Sequence, residues 1–212
     1  MSGMKGGVEA LLFDLGRVVI DLDARRILAR WTALAGAAAA PLSPPLAAGI
    51  AGGEAYRRHE RGEISDAAFF AHLRQQLKIE LTDAQFVDGW NAIFIGEMPG
   101  IRRVLASLNG QVPLYAFSNT NTAHYAHWSL RFADLLAPFR KIYVSHQLGA
   151  RKPEPAAFQA VIADMGIVAP RVLFFDDLAE NVAGARACGL MAAQVKSASD
   201  VELVLSEMGL GA

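Results

Sequence analysis

One cysteine, almost no net charge, no dense basic cluster and no long apolar run: these scarcities set the first limits on a chain of 212 residues. Cys188 alone cannot build a disulfide framework or a thiolate-rich metal site, and it reads as a small buried hydrophobe. A formal charge of −1 provides no field for nucleic acid. No stretch approaches the roughly 20 apolar residues of a membrane span. The opening Met1-Ser2-Gly3-Met4-Lys5-Gly6-Gly7 carries no apolar signal segment, so the expected setting is cytoplasmic. Internal repeats are missing, and low complexity is confined to the Ala-, Pro- and Gly-rich patch from Ala37 to Gly53, read as a loop. Against these absences stands a 53% apolar composition, enough for one sizeable domain or a domain with an insertion.

The rhythm of the chain changes twice. Val8 to Phe13 is a short continuous apolar run, which predicts a buried strand. From about Asp21 the spacing turns helical. Ile27, Leu28, Trp31 and Leu34 share one face, and Ser65 or Asp66 caps a helix with Phe69, Phe70, Leu73 and Leu77. Thr82 and Gln85 form a capping-box signature ahead of Phe86, Trp90, Ile93 and Phe94, expected on one helical face. After Pro99 strands and helices alternate: strands at Val112–Phe117, Ile142–Ser145, Val172–Phe175 and Leu190–Val195, with helices between them. That alternation predicts an α/β fold with a doubly wound parallel sheet. The expected division is a core of residues 1–20 and 96–212 and a helical cap of residues 21–95, inserted after the first strand.

Ligands of open parallel sheets gather beyond the carboxyl ends of the strands. The first strand here ends in Asp14, with Gly16 two residues on. The next core strand leads into Ser118-Asn119-Thr120-Asn121. The fourth leads into Asp176-Asp177, and Arg151-Lys152-Pro153-Glu154 precedes a helix between them. Each feature alone has a bland reading as turn, cap or solvated surface. Together and in this order they place carboxylates, a hydroxyl, an amide and a lysine along one edge.

These four segments resemble the four motifs of the haloacid dehalogenase superfamily, and the likeness covers nearly the whole chain. It is closer still to the branch that includes alpha-D-glucose-1-phosphate phosphatase and the N-terminal phosphatase domain of soluble epoxide hydrolase. Phe13-Asp14-Leu15-Gly16, His59-Glu60-Arg61-Gly62-Glu63-Ile64-Ser65, Phe117-Ser118-Asn119-Thr120-Asn121, Arg151-Lys152-Pro153-Glu154 and Phe174-Phe175-Asp176-Asp177 with Asn181 carry it. The resemblance implies a metal-dependent phosphatase of a small phosphorylated metabolite, a sugar phosphate such as a sugar-1-phosphate. Asp14 would be the nucleophile and form an aspartyl-phosphate, with Lys152 and Ser118 as its catalytic companions. Asn119, His59, Glu60 and Arg61 would bind substrate. Mg²⁺ would be held by Asp14, the Gly16 carbonyl and a carboxylate of Asp176 or Asp177, with Asn181 orienting the metal's surroundings.

Gly16 departs from the family pattern. Many relatives carry there an Asp that protonates the leaving alcohol and then deprotonates water, help worth about 10²–10⁴-fold. Three outcomes follow. The first is a substrate that needs little protonation, as at an anomeric hydroxyl. The second is that another group, His59, Glu60 or Asp176, does the work. The third is that the chain binds phosphate esters without useful turnover. A dehalogenase-type hydrolysis is the remaining alternative, although that chemistry needs no metal.

Overall fold

The computed structural model describes residues 7–36 and 52–211. Most of the patch from Ala37 to Gly53 therefore lies outside the described residues.

Strand β1 (Ala10–Phe13) is apolar throughout and fully buried. It lies at the centre of a five-stranded parallel sheet ordered β5-β4-β1-β6-β7, where β4 is Leu114–Ser118, β5 Phe139–Val144, β6 Val172–Asp176 and β7 Met191–Gln194. Side chains alternate across a strand. Leu11 and Phe13 therefore join an apolar cluster on one face, while Ala10 and Leu12 join another on the opposite face. Both faces are covered, which is why β1 and β6 read as continuous apolar runs and not as alternating ones. β1 pairs with β4 on one side and β6 on the other, and the chain runs outward through β4 to β5 before crossing back to β6 and β7. The crevice at that reversal is bordered by Asp14, Ser118 and Asp176, the residues at the carboxyl ends of three adjacent strands.

Two short strands that the sequence does not suggest bracket the helical stretch after β1. Ile20–Leu22 (β2) and Phe94–Glu97 (β3) form a small antiparallel ladder, and the inserted helices lie between these two strands. Phe94 thus belongs to a strand rather than to the helix before it, which ends at Asn91. Helices α1 (Arg25–Ala35), α2 (Glu54–Glu60), α3 (Asp66–Leu77) and α4 (Asp83–Asn91) surround a cluster of their own, including Trp31, Phe69, Phe70, Phe86 and Trp90. Ser65 caps α3 by accepting from the Ala68 amide, and Thr82 with Gln85 forms the expected capping box. At Gly89 on α4, the Trp31 indole fills the space a Cβ would need, so the glycine sets how closely α1 and α4 approach.

In the second half, α5 (Ile101–Ser107), α6 (Thr122–Arg131), α7 (Ala133–Leu136), α8 (Ser145–Leu148), α9 (Pro155–Met165), α10 (Ala179–Ala187) and α11 (Ala198–Glu207) flank the sheet. Helix α9 starts on Pro155 and stops at Gly166 in a left-handed conformation, as its sequence predicts. No helix among the described residues is long and apolar enough to cross a membrane.

Candidate active site

Lys152 organises the crevice. Its side chain is 1% exposed, and all three ammonium donors are committed: to the Phe117 carbonyl at 2.8 Å, Asp176 Oδ2 at 2.7 Å and Asp14 Oδ1 at 2.8 Å. Its backbone is held as firmly. The Asn119 side-chain amide donates to the Lys152 carbonyl at 2.9 Å, and its Oδ1 accepts from the Lys152 N–H at 2.8 Å. Asn119, expected to bind substrate through its amide, spends both side-chain polar atoms on positioning this lysine.

The carboxylates differ in what surrounds them. Asp176 is fully buried and saturated: it also accepts from the Leu178 amide and from Asn181 Nδ2. Asp177, next in the chain, is half-buried and faces the crevice, with the Arg17 guanidinium 3.8 Å away. Arg17 sits at a positive φ in the turn after Gly16, an uncommon conformation for a residue with a side chain. Carboxylate oxygens of Asp14, Asp176 and Asp177 lie within 4.8 Å of one another. Three such groups face one ammonium. Burial pushes the Asp14 carboxyl up to about 7, against the pull of Lys152 and with the help of Asp176 and Asp177. Burial, then Asp176, also raises Asp177. Burial alone would lower Lys152, but its two carboxylate partners hold it above its ordinary value. A cluster so short of positive charge suits a hard dication, and its donors are all oxygen. Beside it, Asn181 Oδ1 is buried without a hydrogen-bond partner, an acceptor free for a metal-bound water or a ligand.

These groups line a cleft of about 440 Å³ whose other wall is apolar. Ile20 and Leu22 of β2, Ile93 and Phe94 at the start of β3, and Trp128 of α6 form that wall. His124 belongs to it, its ring stacked on Trp90 at 4.8 Å and edge-on to Phe94 at 5.1 Å. Burial pushes its pKa down to about 3, so the ring is neutral. From the insertion, Tyr56 and Glu60 reach the cleft, one helical turn apart on α2.

Two expected substrate contacts are not at the cleft. His59 is one residue from Glu60, about 100° around the helix, and points into the apolar cluster. Its ring stacks on Phe69 at 4.2 Å, and Nε2 lies 2.6 Å from Asp66 Oδ1. Arg61 turns away to Glu154, with contacts of 2.5 and 2.9 Å. Glu60 does line the cleft, but its Oε2 is 2.6 Å from Arg151 Nε. The backbone at Gly62 packs so tightly on the His146 carbonyl that a Cβ would overlap it, at a positive φ that also favours glycine. Ser118 and Gly16 lie at the cleft as expected. Sequence reasoning missed Arg17 and Leu22, and it placed Tyr56 in the specificity segment without a role of its own. Tyr56 had one signal, its place four residues before Glu60.

The family model described as haloacid dehalogenase-like hydrolase matches residues 8–189. This chain belongs to the haloacid dehalogenase-like hydrolases. Among curated relatives, the hydrolase is 26% identical over 202 residues to a D-ribitol-5-phosphate phosphatase of Bacteroides thetaiotaomicron, covering 91% of this chain and 94% of the relative. It is 25% identical over 205 residues to drimenol cyclase drtB of Aspergillus calidoustus, where the match spans 95% of this chain but only 36% of that protein. Among solved structures, a HAD family enzyme of Bacteroides thetaiotaomicron in complex with magnesium and inorganic phosphate superposes with a TM-score of 0.75 at 26% identity, over 90% of this chain and 96% of that one.

Proposed function

We propose that this hydrolase is a Mg²⁺-dependent phosphatase of a small phosphorylated metabolite, acting through an aspartyl-phosphate on Asp14. The observation that carries the reading is the Asp14–Lys152–Asp176 chain of charge at the switch point of the sheet, with Asp177 and the unpartnered Asn181 Oδ1 beside it. Asp14 is the one member of that chain with a pre-oriented carboxylate open to the cleft: its Oδ1 is held by Lys152 and by the Leu15 amide. The relatives support the same reading, one named a sugar-alcohol phosphate phosphatase and one crystallised with magnesium and phosphate.

The roles follow from the geometry. Asp14 attacks phosphorus, and water later cleaves the acyl phosphate. Asp14, the Gly16 carbonyl and Asp177 would hold the dication, which offsets the negative charge of nucleophile and phosphate. Asp177 suits this better than Asp176, whose oxygens are occupied by Lys152, Asn181 and the Leu178 amide. Asp176 positions Lys152, whose positive charge beside Asp14 offsets that of the phosphoryl oxygens, and the Ser118 hydroxyl lies at the cleft to donate to them. Residues 21–95 act as a cap that shapes the cleft through Tyr56 and Glu60 and excludes water when seated. A sugar phosphate such as a sugar-1-phosphate is the favoured substrate, and a cytoplasmic setting fits a small-metabolite enzyme.

The test is turnover of a panel of phosphorylated metabolites, assayed with Mg²⁺ and after chelation. The reading expects phosphate release that EDTA abolishes and Mg²⁺ restores. Metal-independent turnover, or halide release from 2-haloacids in its place, would contradict it.

A further inference from the structure

Of the groups at the cleft that could give a proton to a departing alcohol, all but one can be followed to a partner. The ammonium of Lys152 has spent its three donors. Glu60 is locked to Arg151 at 2.6 Å, and burial with the neighbouring Glu60 carboxylate raises the Tyr56 hydroxyl well above its ordinary value. The His124 ring is used at both nitrogens: Nε2 meets the Trp90 carbonyl at 3.1 Å, and Nδ1 meets the Asn121 amide nitrogen at 3.3 Å. Asp176 is enclosed, and Asp177 lies in the carboxylate cluster facing Arg17. His59 is outside the cleft altogether, bound to Asp66. Glu180 remains, exposed on the first turn of α10, with no ion-pair or hydrogen-bond partner for its carboxylate among the described residues. Residues 37–51 add no candidate, since their sequence holds no titratable side chain.

The position next to the nucleophile holds no such group either. A Cβ built on Gly16 would stand 2.9 Å from Leu22 Cδ1. An apolar methyl thus faces the place where a side chain at position 16 would begin, and Leu22 is continuous with the wall of Ile20, Ile93, Phe94 and Trp128.

We propose that this cleft expels its leaving group unprotonated, so that its substrates are phosphate esters of acidic hydroxyls, an anomeric hydroxyl or a phenol and not an ordinary alkyl alcohol. The inference rests on the phosphatase reading above and adds to it the chemical class of the alcohol. In the first step an Asp14 oxygen bonds to phosphorus, the ester P–O bond breaks, and the electron pair leaves on the alcohol oxygen, which solvent protonates afterwards. In the second, a water oxygen bonds to phosphorus, the bond to Asp14 breaks with its pair returning to the carboxylate, and the water's proton passes to solvent.

The experiment is a leaving-group series with Mg²⁺ present: aryl phosphates from dinitrophenyl to phenyl, then D-glucose-1-phosphate, and D-ribitol-5-phosphate as the alkyl ester. The proposal expects kcat/KM to fall steeply as the alcohol becomes less acidic. The alkyl ester should trail by at least the 10²–10⁴-fold (roughly) that acid catalysis normally supplies. It also expects Gly16→Asp combined with Leu22→Ala to flatten the series by raising the alkyl ester most, and Glu180→Gln to leave the slope as it was. A flat series in the wild type, or a slope that steepens in Glu180→Gln, overturns the proposal while leaving the phosphatase reading intact. No turnover of any ester, the dinitrophenyl included, overturns that reading and the proposal with it.

Discussion

The two walls of the cleft are built on opposite rules. On the Lys152 wall, polar groups are dense and partnered with one another: three carboxylates, one ammonium and two amides fix the nucleophile within a few ångströms. On the Leu22 wall, the polar atoms of the single titratable residue, His124, are turned to backbone and amide partners behind it, and apolar carbon faces the cleft. The first wall spends desolvation energy to hold charge where phosphorus would be attacked. The second has no free acid or base and contributes packing. The difference places the reaction's demands on the phosphoryl end and leaves the alcohol to depart by its own acidity.

Mutations that break the first wall should have the largest effects. Asp14→Asn is expected to remove turnover altogether, read as phosphate release from the best aryl ester. Lys152→Met should follow, because it strips the cation from two buried carboxylates. Breaking a buried pair in this way costs about 3–5 kcal/mol, so a falling denaturation midpoint should accompany the lost activity. Trp31→Ala tests the insertion behind the second wall. That indole is fully buried between α1 and α4, and its loss should cost roughly 3–5 kcal/mol while the aryl-ester slope is retained.

The effect that is smallest near neutral pH, and grows as pH falls, sharpens the comparison further. The His124 pKa is held at about 3 in the fold by burial, against an ordinary 6.5. Below pH 6.5 the unfolded chain therefore binds a proton that the native chain refuses, and stability falls as pH drops toward 3. The slope due to this residue is about 1.4 kcal/mol per pH unit at most. His124→Gln should flatten the acid limb of a denaturation midpoint plotted against pH. An unchanged limb would mean that the ring titrates freely at the cleft and that the second wall holds a usable acid.

Much of the first wall was legible in the sequence because each of its residues follows an apolar run. Asp14, Ser118 and Asp176–Asp177 stand where strands stop, and Lys152 precedes a helix that starts on proline. The second wall was less legible. Ile20–Leu22 has three residues, too short to display a period of two, and Phe94 continued the helical spacing of Phe86, Trp90 and Ile93 although it begins a strand. The His59–Glu60–Arg61 segment was recognised as a unit, but α2 has only seven residues and little apolar pattern to phase it. One residue of helix, about 100°, decides that Glu60 sees the cleft and His59 does not. The pairing of Glu60 with Arg151 and of Arg61 with Glu154 joins residues distant in the chain, which local patterning does not reveal.

The central claim is that Asp14 carries the phosphoryl group between its two transfers. Acid quenching during turnover of dinitrophenyl phosphate with Mg²⁺, followed by peptide mass spectrometry, tests it directly. One phosphoryl group on the peptide containing Asp14, absent in Asp14→Asn, is the expected result. Steady turnover with that peptide unmodified, or with the phosphoryl group on another residue, would contradict it.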